Sequence, residues 1–207
     1  LRMDPFTHEL IPELAESFEV SENGLELTFR IREGVQWHDG EPFTIEDVVF
    51  TFDSVRDPAV RAPSARANLE VVAEYEAVDD RTFRVLLSEP SFLLLQHLES
   101  LPIIPRHVFG RGDINTHPNL RRPIGTGPFR FVSFESGERF VLERNERYWG
   151  TPPNLDRVVY RFARDRTLAY QMLKRGDVDV MPRLTTDQVS EARTDTELLR
   201  THDLRSY

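Results

Sequence analysis

Leu25-Glu26-Leu27-Thr28-Phe29-Arg30-Ile31 alternates apolar and polar residues without a break, and Glu22-Asn23-Gly24 stands directly before it. A period of two places Leu25, Leu27, Phe29 and Ile31 on one face of a strand. Asn-Gly is a pair favoured by tight turns that need positive φ. Ser17 to Ser21 alternates upstream of the turn, so this stretch predicts a half-buried β-hairpin. Before it, Pro12 to Glu16 reads as a short helical turn after an irregular Asp4-Pro5 entry.

Downstream, Glu33-Gly34 and His38-Asp39-Gly40 are turn signals, and Thr44 starts a helix as an N-cap with Asp47 three residues on. Ile45, Val48, Val49, Phe52 and Val55 recur at helical spacing until Pro58 stops the run. Residues 61–68 are small and polar and predict a loop. A second hairpin is predicted over Leu69 to Val78 and Thr82 to Ser88 around Asp79-Asp80, then a helix over Ser91 to Glu99. Residues 102–123, rich in Pro, Gly and Asn, predict an irregular connection. A third hairpin, Phe129 to Glu135 and Arg139 to Arg144, turns at Ser136-Gly137. A strand over Leu155 to Phe162 and a helix over Asp165 to Arg175, closed by Gly176, follow. The last expected elements are a strand over Asp177 to Met181, a helix over Thr185 to Arg193 and a strand over Glu197 to Asp203. Hairpins followed by β-α-β-α-β make the class mixed α+β.

The composition excludes several functions. The net charge of −9 opposes non-specific nucleic-acid binding. The charge is uneven: residues 1–100 hold 21 acids against 8 arginines, residues 101–207 hold 14 acids against 18 bases, which suggests two structural units meeting after Leu101. With no cysteine, disulfides and thiolate chemistry are excluded within the chain. No apolar run approaches the roughly 18 to 20 residues that cross a bilayer, and Leu1-Arg2-Met3-Asp4-Pro5 is not a signal-peptide start.

No motif declares an enzyme: Gly-x-Ser-x-Gly, His-Glu-x-x-His and the dinucleotide fingerprint are all missing. The six histidines show no i, i+4 pair, so neither a metal site nor a cofactor is expected from this chain. In Trp37-His38-Asp39-Gly40 a His adjoins an Asp, yet no nucleophile or third ligand accompanies them; the segment reads as a turn whose Trp packs in the core. Gly125-Thr126-Gly127 lacks the Lys-Ser/Thr of a phosphate loop and leads into a strand. Its glycines suit a close backbone approach, with a contact to ligand backbone as the alternative. Phe129, Phe131, Phe134, Phe140 and the Tyr148-Trp149 pair read as core.

Four stretches together resemble the family 5 extracellular solute-binding proteins, which serve dipeptide, oligopeptide and nickel importers. They are Leu10 to Gly24 (LIPELAESFEVSENG); Phe29 to Gly40 (FRIREGVQWHDG) with Pro42 to Phe50 (PFTIEDVVF); Pro123 to Phe129 (PIGTGPF) with Glu143 to Gly150 (ERNERYWG); and Leu168 to Val180 (LAYQMLKRGDVDV). The resemblance implies a class II periplasmic-binding-protein-like fold in which two lobes close over a ligand around a hinge. It assigns residues 1–10 to a segment of the first lobe, 11–122 to a β-hairpin-rich extra domain of that lobe, and 123–207 to part of the first α/β lobe. Family members are considerably longer, so the chain is expected to be a fragment without the second lobe.

By the same resemblance, Leu98 to Ile103 faces the cleft between lobes. Glu99 would meet a ligand amine, Ser100 would bond a peptide, and Leu101, Gly125, Thr126 and Gly127 complete the expected ligand-binding set. Solvated polar residues at a helix end are the alternative for Glu99 and Ser100. The implied function is capture of peptides or similar solutes for a membrane ABC permease, by a monomer in the periplasm or held outside the cell as a lipoprotein. A ligand-sensing domain of a transcription regulator with the same fold is the alternative, and a peptide hydrolase is a third.

Overall fold

The computed structural model describes residues 1–4 and 6–194. Its contacts divide the chain into two compact units, one of Leu1–Phe131 with Glu143–Arg157, the other of Val132–Leu142 with the chain from Val158 onward.

The chain enters through a short antiparallel pair, β1 (Arg2–Met3) and β2 (Leu10–Ile11). The alternating stretch then folds as period two demands. β3 (Ala15–Val20) and β4 (Glu26–Ile31) pair antiparallel across the turn at Gly24, whose φ of +69° is in the region that favours glycine. After α1 (Ile45–Arg56) and α2 (Pro63–Asn68), strands β5 (Val72–Ala77) and β6 (Thr82–Leu87) complete a four-stranded antiparallel sheet in the order β3-β4-β6-β5. One face carries Leu27, Phe29 and Ile31 from β4 and Phe83, Val85 and Leu87 from β6, all buried. Registered pairs such as Phe29–Phe83 and Leu27–Val85 bring these side chains together. Against them α1 buries Ile45, Val48, Phe52 and Val55, with Phe52 edge-on to Phe83 at 4.9 Å. Each such side chain contributes roughly 1.5–3 kcal/mol on burial.

Two buried polar residues on α1 tie distant chain to this core. Asp47, 3% exposed, receives the Thr44 backbone N–H at 2.9 Å, half of the capping box. It also receives the Trp37 indole N–H at 3.1 Å and the Arg106 backbone N–H at 2.8 Å. One turn along, the Thr51 hydroxyl donates to the Asp47 carbonyl at 2.8 Å and accepts the Ile104 N–H at 3.0 Å. Thus α1 fixes the connection that follows α3 (Phe92–Glu99) and opens α4 (Arg106–Phe109).

Beyond Pro128, β7 (Phe129–Glu135), β8 (Arg139–Arg144) and β9 (Arg157–Arg161) form a three-stranded sheet in that order. In the second unit Phe134 packs edge-on to Phe140 and Phe162. α5 (Arg166–Lys174) is capped by the Asp165 side chain, which accepts the Leu168 N–H at 2.8 Å. α6 (Thr186–Thr194) meets α5 through Lys174–Glu191 and through the Tyr170 hydroxyl, which donates to the Gln188 carbonyl.

The structure corrects several expectations. Pro12 to Glu16 is not helical, because Ala15 already pairs with Ile31. Residues 61–68 contain α2, with Pro63 in the first turn, where the missing N–H costs nothing. Arg66 anchors α2 by donating to the Val55 and Val60 carbonyls at 3.0 and 2.8 Å. Residues 102–123 hold α4 and two 3-10 turns, Ile114–Thr116 and Pro118–Arg121. The aromatic stripe is less buried than expected, with Phe134 47% exposed. Asp177 to Met181 forms no strand: its first N–H folds back to the Met172 carbonyl at 2.9 Å, and no described strand pairs with it. Over the described residues the closing pattern is therefore β-α-α. The strand expected over Glu197 to Asp203 lies outside them.

Removing the Asp47 carboxylate leaves the buried Trp37 indole N–H and the part-buried Thr44 and Arg106 N–H groups without their acceptor, so Asp47→Ala is expected to cost about 2 kcal/mol or more. Urea denaturation measures this, and a loss below about 1 kcal/mol would contradict the role given to Asp47.

Candidate functional site

The turn after β4 and the loop before β7 are held together by one imidazole. Trp37 is buried at 2% exposure and Gly40 takes φ +98°, as a turn with a core-packed Trp requires. His38 and Asp39 do not form a chemical pair. Asp39 faces His107, 2.8 Å from its Nε2. His38 turns to the glycine loop: its backbone N–H donates to the Gly125 carbonyl at 2.9 Å, and its Nδ1 accepts the Gly125 N–H at 3.1 Å. Nε2 lies 3.0 Å from the Gly127 carbonyl. Since Nδ1 faces a donor and Nε2 an acceptor, the two contacts together assign the neutral ring with its proton on Nε2.

The loop is gripped elsewhere too. Asn145 donates its side-chain N–H to the Gly127 carbonyl at 3.1 Å, and the Trp149 indole donates to the Thr126 carbonyl at 3.1 Å. Arg32 stacks over Trp149, 4.7 Å from the ring centre. A Cβ at Gly125 would lie 3.4 Å from the His38 ring, an ordinary contact, so close approach does not by itself require this glycine. At Gly127 an added Cβ meets nothing within 4 Å and φ is not positive, so close approach does not require that glycine either.

Gly125 and Thr126 form part of the wall of a cavity of about 350 Å³ within the first unit. Phe29, Trp37, Phe52 and Phe83 supply apolar lining, and Glu13 and Glu99 supply carboxylates. Glu13 is held by Arg2 at 3.0 Å and accepts the Tyr148 hydroxyl at 3.4 Å. Burial, and after it the Glu13 charge, pushes the Tyr148 phenol up. Glu99 accepts the Ser100 hydroxyl at 3.0 Å.

Of the residues singled out from sequence, Glu99, Leu101, Gly125 and Thr126 come together on this cavity. Ser100 lines a separate hollow of about 200 Å³ with His97 and Asn68. Gly127 lies behind the wall and is held by His38 and Asn145. Sequence reasoning missed His38, Asn145, Trp149 and Glu13 as parts of one site. His38 carried a visible signal beside Asp39, but it pointed to the wrong partner. Among the described residues no group of three or more His, Asp or Glu is placed to hold a metal, and no helix is long and apolar enough to cross a membrane.

Burial pushes the His38 ring below its ordinary value of 6.5, aided by the Arg130 charge; the Gly127 carbonyl and Asp39 pull the other way. The Gly125 N–H aimed at Nδ1 also opposes a second proton. With the folded-state value depressed, the unfolded chain takes up a proton first as pH falls. The His38 contribution to stability is thus complete above about 6.5 and is lost as pH falls through the folded value. Denaturation followed between about pH 7.5 and 5 is expected to show stability falling with acidification, with a smaller fall in His38→Gln. An equal fall in both proteins would contradict this.

Comparison with known proteins identifies the chain. Residues 9–206 match the family model described as bacterial extracellular solute-binding proteins, family 5 Middle. The chain is 32% identical over 196 residues to the dipeptide-binding protein of Escherichia coli (strain K12), covering 85% of this chain and 37% of that protein. Among solved structures, NikZ of Campylobacter jejuni in complex with Ni(L-His) matches with a TM-score of 0.79 at 29% identity, covering 86% of this chain and 35% of that one. The periplasmic binding protein DppA of Helicobacter pylori, in complex with the peptide STSA, matches with a TM-score of 0.81 at 27% identity, covering 93% and 42%. The chain thus spans well under half the length of these relatives and takes the mixed α+β fold of that part of a periplasmic binding protein. It belongs to the family 5 bacterial extracellular solute-binding proteins.

Proposed function

We propose that the protein is the solute-binding component of a bacterial ABC importer, capturing peptides or similar small solutes outside the cytoplasm and delivering them to the membrane permease. The observation that carries this reading is the family match across residues 9–206. The cavity supports it: an apolar interior with carboxylates at Glu13 and Glu99 and a glycine loop at Gly125 suits a solute with an amine and peptide-like polar groups. In this reading 1–10 and 123–207 belong to the first lobe and 11–122 to its extra domain. A second lobe closes over the solute, and the mature protein is a monomer in the periplasm or tethered by lipid. Glu99, Ser100, Leu101 and residues 125–127 contribute one side of the grip. Extended peptides held by backbone hydrogen bonds would be accepted with tolerance for their side chains.

Native mass spectrometry of the whole protein from its source is expected to show a co-purified peptide or small solute that leaves on denaturation. The 207-residue chain alone is expected to bind such a solute more weakly than the whole protein, since it offers one side of the cleft. A whole protein that carries no solute and shows no micromolar affinity for a mixed peptide library would overturn the reading.

A further inference from the structure

The hydrogen bonds of the glycine loop are one-sided. Its carbonyls are all taken: Gly125 by the His38 N–H, Thr126 by the Trp149 indole, and Gly127 by His38 and Asn145 together. The Gly125 N–H is taken by His38 Nδ1. By contrast, the Thr126 N–H, the Thr126 hydroxyl and the Gly127 N–H make no hydrogen bond among the described residues. Thr126 is on the wall of the cavity whose other polar groups include the Glu13 and Glu99 carboxylates. Thr126 therefore brings spare donors to a lining whose carboxylates, Glu13 and Glu99, interact with the Leu1 amino group.

We propose that Thr126 forms a subsite for an acceptor oxygen of the bound solute, a carboxylate or an amide carbonyl, and that His38 is the positioning residue that keeps this subsite formed. The inference rests on the solute-binding reading above and names the chemistry of one end of the solute. His38 does not touch the solute. It acts by holding the Gly125 N–H and the Gly127 carbonyl at once, which leaves Thr126 between two fixed ends. Only the neutral ring can do both, because a proton on Nδ1 turns an acceptor into a donor facing the Gly125 N–H. The charged groups around the ring are Asp39 and Arg130, with His107 bonded to Asp39 and Arg147 against Gly40. All of them are retained in a His38→Gln variant, so a comparison isolates the ring.

The test is calorimetric titration of the whole protein with tri-alanine and with its C-terminal amide, at about pH 7.5 and about pH 5.5. Wild-type affinity is expected to fall with acidification, and His38→Gln, checked for folding by circular dichroism, is expected to lose most of that fall. Thr126→Val is expected to weaken binding about three- to tenfold. A loss for the free acid alone identifies a carboxylate, and a loss for both peptides identifies a carbonyl. An independent readout needs no variant: nitrogen-15 NMR of the imidazole is expected to show the Nε2–H tautomer at neutral pH. Failure of wild-type protein to bind either peptide would overturn the solute-binding reading and this subsite with it. Binding that is unchanged by Thr126→Val, with a pH profile unchanged by His38→Gln, would overturn the subsite alone. An Nδ1–H tautomer would remove His38 from its positioning role.

Discussion

A single buried carboxylate organises the first unit. Asp47 accepts hydrogen bonds from the start of its own helix, from the Trp37 indole and from the backbone at Arg106. A buried carboxyl group is tolerated when its oxygens are hydrogen-bonded, and here N–H donors from three separate chain segments meet them. The consequence is geometric. The helix that covers the sheet, the turn that carries His38 and the connection after α3 are fixed to a common point. Thr51 repeats the device one turn later at Ile104, so Leu101 to Ile103 are held from their downstream side as they border the cavity.

From that point the site follows in order. Trp37, pinned by Asp47, lines the cavity, and the next residue directs its imidazole to the glycine loop. Asn145 and Trp149, just after β8, hold the same loop from another part of the chain. Each carbonyl of Gly125, Thr126 and Gly127 has a partner, which restrains the wall at Gly125 and Thr126. A binding surface with its geometry set beforehand loses less entropy on meeting a ligand.

Much of the fold could be read from local pattern. Period two over residues 25–31 and the Asn-Gly turn are short-range signals, and β3 and β4 follow them. Thr44, Asp47 and Pro58 bound α1 for equally local reasons. The failures are of two kinds. Where tertiary partners decided, propensity misled: Ala15 joined a ladder with Ile31, and Val178 and Val180 found no described strand to pair with. α2 was missed because its anchor is Arg66, which reaches carbonyls at and beyond the end of α1. The site was legible only in pieces. Glu99 and Leu101 could be named from the family resemblance and Gly125 and Thr126 from the glycine loop, but the bond from Gly125 to His38 spans 87 residues and no periodicity announces it. The Glu99 carboxylate and the glycine loop line one cavity, and Asp47 and Thr51 tie the chain between them back to α1.

In the proposed function a solute occupies the cavity bounded by Glu99 and Thr126, with His38 holding the loop behind it. A crystal structure of the whole protein with bound tri-alanine tests it most directly. Peptide density is expected within hydrogen-bond reach of Thr126, with the His38 ring still bridging the Gly125 N–H and the Gly127 carbonyl. Peptide bound elsewhere while this cavity is filled by the protein's own side chains would contradict it.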